Sequence, residues 1–306
     1  MTLLRVRHLT AYGYKDPVEL GAHVVHLRPR ELSTQSVRHY ALHASPPLAR
    51  DVWALDHFGN LVGWLFLSGV HDALRLEAIA DVVVRPRLIP EPGQTPPWEY
   101  VATQALLPEG AEAAEFAFAS QRVPLLNEAR EWASSSLPPG RAVLAGVLDL
   151  VHRFATEFRF DSTVTTVSTP VSRVLELKAG VCQDFAHLMI AALRSHGIPA
   201  RYVSGYLRTR PPPGKQRLVG ADQSHAWVGC WLGAAYGWVD VDPTNAMVVQ
   251  DGHVVLGWGR DYADVSPVRG VLLGGGTHTL KVSVDIAPLE EHEKEGDGQA
   301  GLLIAR

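Results

Sequence analysis

The spacing of apolar residues changes twice along the chain, and this change restricts the possible folds more than any other feature. In the first ninety residues, short alternating segments are separated by turn signals such as the run DHFGN at 56–60, which is typical of antiparallel strands. Apolar residues then recur every three or four positions from 143 to 158, which predicts an amphipathic helix. Strand-like alternation returns after residue 200. An order of strands, then helices, then strands favours an α+β fold over alternating β-α-β units.

The proline-rich stretch at 86–97 predicts a domain boundary, because proline interrupts both helices and strands. From this boundary and the changes of pattern we predict five segments: a β-rich N-terminal domain at 1–90, a linker with helices at 91–140, a core at 141–247, a β extension at 248–288 and a disordered tail at 289–306. The tail is inferred from its many acidic residues, which are typical of solvated chain.

Composition and charge exclude several classes of protein. The formal net charge of −4 and the pI of about 6.4 over 306 residues give none of the basic surface that a nucleic-acid binder needs. Two cysteines are too few for a disulfide framework or a four-cysteine zinc site. No apolar run approaches the roughly 20 residues of a membrane helix, and the first residues do not resemble a signal peptide. We therefore expect a cytoplasmic protein that binds neither nucleic acid nor a membrane.

Cys182 is the first candidate for a reactive group. It stands at the first turn of a second predicted helix, whose apolar residues run from 185 to 193 and which Gly197 and Pro199 end. Because the helix dipole and the free amides of a first turn stabilise a thiolate, we expect Cys182 to be nucleophilic at neutral pH. His225, at the start of an aromatic-rich strand, is the candidate base.

Two aspartates could hold the imidazole of His225, since Asp240 and Asp242 share one face of the following predicted strand. If His225 lay directly opposite Asp242 in a hairpin, the connecting turn would be centred between residues 233 and 234. If His225 lay opposite Asp240 instead, the turn would be centred between residues 232 and 233. A turn that contained both Gly233 and Gly237 would be centred later in the chain than either of these. The hairpin pattern therefore does not choose between the two aspartates.

Several stretches of the chain resemble bacterial transglutaminase-like proteins. Two stretches resemble the core of that family: GVCQDFAHLMIAALR at 180–194 and GIPARYVSGY at 197–206. Two more resemble its other motifs: SHAWV at 224–228 and GWVDVDPTN at 237–245. The resemblance continues through 259–270. The N-terminal half, with LRPR at 27–30 and the run at 56–60, is similar to the β-rich domain that precedes this core. The resemblance implies a papain-like α+β core with an N-terminal antiparallel β-rich domain.

Carried over by position, the resemblance implies a catalytic triad of Cys182 as nucleophile, His225 as base and Asp242 as acid, because the family's aspartate precedes Pro-Thr. It implies a cysteine peptidase or amidase that cleaves a peptide or protein substrate through a thioester, with hydrolysis favoured. Acyl transfer to an amine and a non-catalytic binding module with the same fold remain as alternatives. No metal and no cofactor is expected, and neither the substrate nor the oligomeric state is indicated.

The remaining candidates have simpler interpretations. Cys230 is expected in the core, and a zinc site formed with Cys182 and His225 is the less favoured alternative, since no paired ligand spacing supports it. Gly229 stands where the family commonly has an acidic residue, and we expect no loss of the triad from this, only a change at the edge of the sheet or at the rim. The segment at 208–220 is expected to be a loop that borders the site. Structural or surface roles are expected for the other polar and aromatic candidates: His8, His23, His26, His57, Gln183, Asp184, His187, His196, Trp227 and Trp238. The alternatives are an oxyanion contact for Gln183, the orientation of groups near the thiol for Asp184, and a place in the lining of the acyl site for the two tryptophans.

Overall fold

A computed structural model describes residues 1–209 and 223–289 of the chain. All but the first two residues of the predicted loop at 208–220, and all but the first residue of the predicted tail at 289–306, lie outside the described residues. The strands are β1 (Thr2–Val25), β2 (Gln35–Ser45), β3 (Arg50–Leu55), β4 (Leu61–Val84), β5 (Arg159–Phe160), β6 (Ala179–Gly180), β7 (Ala200–Leu207), β8 (Gln223–Trp231), β9 (Trp238–Asp242), β10 (Met247–Val248), β11 (His253–Gly259), β12 (Val268–Gly274) and β13 (His278–Pro288). The helices are α1 (Trp98–Gln104), α2 (Ala111–Ala114), α3 (Asn127–Ser134), α4 (Val143–Glu157), α5 (Val171–Leu177) and α6 (Cys182–Arg194). Within the described ranges, none of these helices combines the length and the apolar character needed to cross a membrane.

The first sheet is antiparallel and contains six strands, four from the start of the chain and two from its end. The long strands β1 and β4 pair with each other, β2 and β3 pair with β4, and β12 and β13 pair with β1. Burial alternates along β1, where Leu4 and Val6 are buried and Arg5 and Arg7 are exposed, as the sequence pattern predicts. The last described strands of the chain therefore complete the sheet that the first 84 residues begin.

The second sheet has the antiparallel order β10-β9-β8-β7-β11, and α6 packs against β7 and β8. The helix is buried from Asp184 to Arg194, in one apolar cluster with the stripe of α4 that includes Val147, Leu150 and Phe154. Both helices confirm the sequence predictions. After α6 the chain reverses at Gly197, whose φ of 80° suits glycine and ends the helix as expected.

The hairpin that joins β8 and β9 has a later turn than either of the two pairings weighed from the sequence. Trp231 lies opposite Trp238, so the turn is centred between residues 234 and 235 and contains both Gly233 and Gly237, each with positive φ. Continued by one pair beyond Val228 and Val241, this register places Asp242 level with Trp227 rather than with His225. Neither aspartate is directly opposite His225, and the contact between β8 and β9 at the site is diagonal.

The two sheets meet at β11, the edge strand of the second sheet, where two side-chain amides take the place of a neighbouring strand. Gln35 donates from Nε2 to the Val255 carbonyl (2.8 Å) and accepts at Oε1 from the Val255 amide (2.8 Å). Asn60 donates from Nδ2 to the Trp258 carbonyl (2.8 Å) and accepts at Oδ1 from the Trp258 amide (2.9 Å). Backbone groups at a sheet edge need partners, and the two side-chain amides, together with the Arg30 amide that donates to the Val255 carbonyl (3.0 Å), fix the N-terminal region against the core.

His8 makes a polar contact inside the mostly apolar interface between the sheets. Its Nδ1 is 3.0 Å from the Tyr206 hydroxyl and its Nε2 is 2.8 Å from Oγ1 of Thr10. Its partner Tyr206 belongs to a buried apolar cluster with residues of both sheets: Leu4, Val6, Val82, Val254, Leu256, Val284 and Ile286. Burial lowers the pKa of His8 to about 4, so the imidazole is neutral at pH 7.

The lowered pKa of His8 predicts acid-sensitive stability. Unfolding returns the imidazole to water, where its pKa is about 6.5, so the unfolded state takes up a proton first as the pH falls. Between about pH 6.5 and pH 4 the wild-type chain should lose about 3 kcal/mol more of its unfolding free energy than His8→Gln. Denaturant unfolding at several pH values measures this difference. Parallel curves for the two chains would contradict the assignment of a buried neutral His8.

Candidate active site

Cys182 is the first residue of α6 and is partly exposed. The turn that starts the helix is held by Asp184, whose Oδ2 accepts hydrogen bonds from the Val181 amide (2.9 Å) and the Thr165 hydroxyl (2.6 Å). Burial raises the pKa of Asp184 in spite of these two donors. The carboxylate therefore acts as a cap for the helix, and the amides of the first turn remain without a carbonyl partner inside α6, as at any helix start.

His225 lies on β8 beside Asp242, the last residue of β9. Its Nε2 is 2.7 Å from Oδ2 of Asp242, and both side chains are buried. Burial alone would lower the pKa of His225, but the hydrogen bond to Asp242 and the contact with Cys182 outweigh it and raise the pKa to about 10. Burial would likewise raise the pKa of Asp242, yet its hydrogen bonds to His225 and His253 hold it well below the usual range. The imidazolium is therefore favoured at neutral pH.

The structure brings Cys182, His225 and Asp242 together in one chain of contacts. Cys182 and His225 line the same pocket, and the thiol lies close enough to the imidazole to contribute to its raised pKa. Because Nε2 of His225 faces Asp242, Nδ1 is the ring nitrogen left for the sulfur. Such an arrangement can carry a thiolate–imidazolium pair, with the carboxylate fixing the orientation of the ring.

Asp240, the other aspartate weighed from the sequence, has different partners. Its Oδ2 accepts from Nη1 of Arg87 (3.0 Å), and the Arg201 guanidinium lies 3.7 Å from Oδ1. Gly229 lies opposite Asp240 on the inner strand β8 and not at the edge of the sheet. A Cβ at Gly229 would come within 2.7 Å of Nε of Arg201 and 3.0 Å of Oδ1 of Asp240. Asp240 thus supplies the negative charge for the buried Arg201.

Asn245 and His253 also contact the carboxylate of Asp242, and the sequence reasoning missed both. Asn245 donates from Nδ2 to Oδ2 of Asp242 (2.7 Å), and Nε2 of His253 is 3.3 Å from the same oxygen. The Gln250 amide donates to Nδ1 of His253 (3.4 Å), so we assign the proton of His253 to Nε2, which donates to Asp242. Asn245 has a local signal, because an aspartate three residues before it starts a turn. His253 has none.

His225, Asp242 and His253 offer ligand atoms that lie within 4.8 Å of one another, which is close enough to hold a metal ion. The same atoms are used in the hydrogen bonds described above, in which both imidazoles face the carboxylate. A cation would have to displace the Nε2 protons of two histidines. The two histidines are therefore better suited to hold the Asp242 carboxylate in place by hydrogen bonds than to bind a metal ion with it.

Substitution of His253 tests this second contact to Asp242. His253→Phe removes one donor to a buried carboxylate and should lower the unfolding free energy by about 1.5–3 kcal/mol. Alkylation of Cys182 by iodoacetamide should slow by up to about tenfold, since about 1.4 kcal/mol corresponds to a factor of ten. His253→Gln keeps an N–H donor for the same carboxylate and should retain most of the rate. Equal alkylation of wild type and His253→Phe would show that the contact has no part in positioning.

The other predicted residues occupy mainly structural positions. Cys230 is fully buried, which raises the pKa of its thiol, and no group of metal-ligating side chains among the described residues contains it. His196 is buried near the end of α6, with Nδ1 2.9 Å from the Ala192 carbonyl. His187 is buried and accepts from the Tyr262 amide (3.2 Å). Trp227 is in the core, whereas Trp238 is partly exposed and stacks with Arg201.

A pocket of about 350 Å³ opens at Cys182 between the two sheets. The core lines it with Cys182, Gln183 and His225, while β1 lines it with the buried His8. Thus the N-terminal sheet forms one side of the pocket.

Two family models match the chain. Residues 131–243 match the transglutaminase-like superfamily, and residues 4–83 match the bacterial transglutaminase-like N-terminal region. The first match contains Cys182 and His225 and ends at Pro243, directly after Asp242.

The chain is also similar to known proteins over most of its length. An uncharacterized protein of Mycobacterium tuberculosis (strain H37Rv) is 38% identical over 296 residues, which cover 94% of this chain and 93% of that protein. A protein-glutamine gamma-glutamyltransferase of Pseudomonas aeruginosa is 40% identical over 72 residues, 23% of this chain and 11% of that protein. The crystal structure of a "Putative Cysteine Protease" from Cytophaga hutchinsonii has the same fold, with a TM-score of 0.76 at 20% identity, and covers 94% of this chain and 91% of its own. The chain belongs to the transglutaminase-like superfamily and has the bacterial transglutaminase-like N-terminal region before its core.

Proposed function

We propose that this protein is a cysteine-dependent enzyme that hydrolyses an amide bond of a peptide or protein substrate. The observation that carries the proposal is the chain of contacts from Cys182 at the start of α6 through His225 to Asp242. In this proposal Cys182 is the nucleophile, His225 transfers protons and Asp242 orients the imidazole. A non-catalytic binding module would not need these three groups in contact.

The first half of the proposed reaction forms a thioester. The thiolate of Cys182 attacks the amide carbonyl carbon, and the carbonyl oxygen becomes an oxyanion that the first-turn amides of α6 can receive. The intermediate collapses as the carbon–nitrogen bond breaks. The amine leaves with a proton from His225, whose pKa of about 10 keeps that proton available at neutral pH.

The second half returns the enzyme to its starting state. Neutral His225 takes a proton from water, the hydroxide attacks the thioester carbon, and the carbon–sulfur bond breaks to release the carboxylic acid and the Cys182 thiolate. Hydrolysis is favoured because Cys182 is partly exposed at the pocket, where water can reach it. We include a cytoplasmic location in the proposal, because a reducing compartment keeps this thiol free.

Acyl transfer is the second candidate function. It is favoured by the likeness over 72 residues to the Pseudomonas aeruginosa protein-glutamine gamma-glutamyltransferase. In that case a primary amine would attack the same thioester in place of water, and the product would be a new amide.

The two candidate functions are separated by their products. Labelled peptides with glutamine side chains and internal amide bonds are incubated with the chain, with and without a labelled primary amine, and the products are identified by mass spectrometry. Hydrolysis predicts carboxylic acid products with or without the amine, whereas transfer predicts an amine adduct. Cys182→Ala should abolish either product, and Cys230→Ala, which removes the other cysteine, should not. A product that survives Cys182→Ala would contradict the proposal.

A further inference from the structure

One wall of the pocket beside Cys182 comes from outside the catalytic core. Strand β1 contributes Tyr12, and strand β13 contributes Leu280 and Val282. Leu280 is paired directly with Tyr12 across the two strands, so these side chains are neighbours on one face of the N-terminal sheet. Leu280 and Val282 keep exposed fractions of 54% and 48%. They therefore present open apolar surface next to the reactive thiol.

Among the described residues, the pocket wall carries no charge apart from that of the His225 imidazolium. The described residues that line the pocket include no lysine, arginine, aspartate or glutamate. Burial lowers the pKa of His8 to about 4 and raises the pKa of Tyr12 and of Tyr202, so all three side chains are neutral at pH 7. A charged group placed against this wall would lose water and gain no partner, which is unfavourable. A neutral apolar group would bury apolar surface, which is favourable, without losing the hydration of a charge.

The size of the pocket limits its occupant further. A volume of about 350 Å³ is at the small end of ligand pockets, which suits one large side chain better than an extended ligand. We propose that this pocket binds a bulky, neutral, apolar group next to the amide bond that Cys182 attacks, and that Leu280 and Val282 make the enzyme select such substrates. The inference rests on the proposed function and deepens it, since it names the substrate class and gives the N-terminal sheet a role in selection.

Matched alkylating reagents test this selectivity without a known substrate. Iodoacetamide is compared with its N-benzyl, N-(2-aminoethyl) and N-carboxymethyl derivatives, which share one reactive group. Each rate at Cys182, located by peptide mass spectrometry, is divided by the rate of the same reagent with glutathione. After this correction the N-benzyl reagent should react about tenfold faster than iodoacetamide, and neither charged reagent should exceed iodoacetamide.

Variants on β13 connect the preference to the proposed wall. Leu280→Asp and Val282→Asp should each reduce the N-benzyl preference, measured as the ratio of the corrected N-benzyl rate to the corrected iodoacetamide rate of the same variant, by about tenfold. Val282→Thr keeps the shape of the side chain and its tendency to form a strand, so it tests the role of Val282 even if an aspartate weakens β13. It should reduce the N-benzyl preference by about threefold. Leu273→Asp is the matched control, because Leu273 is 59% exposed on β12 and does not line the pocket.

The outcomes are distinguishable. Equal corrected rates for all four reagents, or an N-benzyl preference that persists in both Val282 variants, would overturn the proposed selectivity and leave the proposed function standing. If iodoacetamide itself reacted with Cys182 no faster than with a free thiol below the thiol pKa of about 8.5, the proposed function would fail and the selectivity with it.

Discussion

Asp242→Asn should reduce amide hydrolysis by about 10³- to 10⁴-fold, the loss expected when the partner of a catalytic imidazole can no longer fix its tautomer. Five hydrogen bonds converge on this carboxylate. Oδ2 is contacted by His225 (2.7 Å), Asn245 (2.7 Å) and His253 (3.3 Å), and Oδ1 accepts from the amides of Thr244 (2.9 Å) and Asn245 (3.1 Å). An asparagine would replace one acceptor oxygen by an N–H₂ group that cannot accept, and would remove the charge that favours the imidazolium. The measurement is the Cys182-dependent rate on the best peptide amide.

Asp240→Asn is the matched control for this substitution. Asp240 is as deeply buried as Asp242 and is paired with Arg87 and Arg201, so both variants should lose about 3–5 kcal/mol of unfolding free energy. Only Asp242→Asn should also lose activity at a temperature where both variants are folded. If Asp240→Asn were the inactive variant, the assignment of the acid to Asp242 would be wrong.

His225→Ala should slow the alkylation of Cys182 by iodoacetamide by about 100-fold at about pH 6.5, because a free thiol with a pKa of about 8.5 is only about 1% thiolate there. In the proposed mechanism the His225 imidazolium, whose pKa is raised to about 10, stands beside the sulfur as its partner cation. His196→Ala also removes a buried imidazole, but one near the opposite end of α6, and its alkylation rate should stay within about twofold of wild type. Similar losses in both variants would indicate general damage to the helix rather than a Cys182–His225 pair.

Where structural signals are local, the sequence was sufficient to predict them. The start of α6 at Cys182 follows from an apolar stripe with a glycine beyond its end, and the structure confirms it. The acid is a different case, since the pattern left Asp240 and Asp242 open and only the family resemblance favoured Asp242. The hairpin explains why, because its turn contains both Gly233 and Gly237 and brings Asp242 to His225 along a diagonal that neither simple pairing describes.

Long-range contacts could not be predicted in this way. The pairing of β12 and β13 with β1 joins opposite ends of the chain, and an alternating pattern does not identify its partner strand. Gln35 and Asn60 likewise look like ordinary polar residues until β11 is placed beside them. His253 carries no spacing signal, yet the pairing of β11 with β7 brings its imidazole to Asp242.

The pH dependence of Cys182 alkylation in the wild-type chain is the most direct test of the proposed pair of Cys182 and His225. Iodoacetamide is reacted with the protein from about pH 5 to about pH 10, and labelling is quantified at Cys182 by peptide mass spectrometry, with His225→Ala measured in parallel. If Cys182 and His225 form a thiolate–imidazolium pair, the wild-type rate stays high well below the free-thiol pKa of about 8.5 and His225→Ala loses this reactivity. A wild-type rate that is half-maximal near pH 8.5, with a profile that coincides with that of His225→Ala, would contradict it.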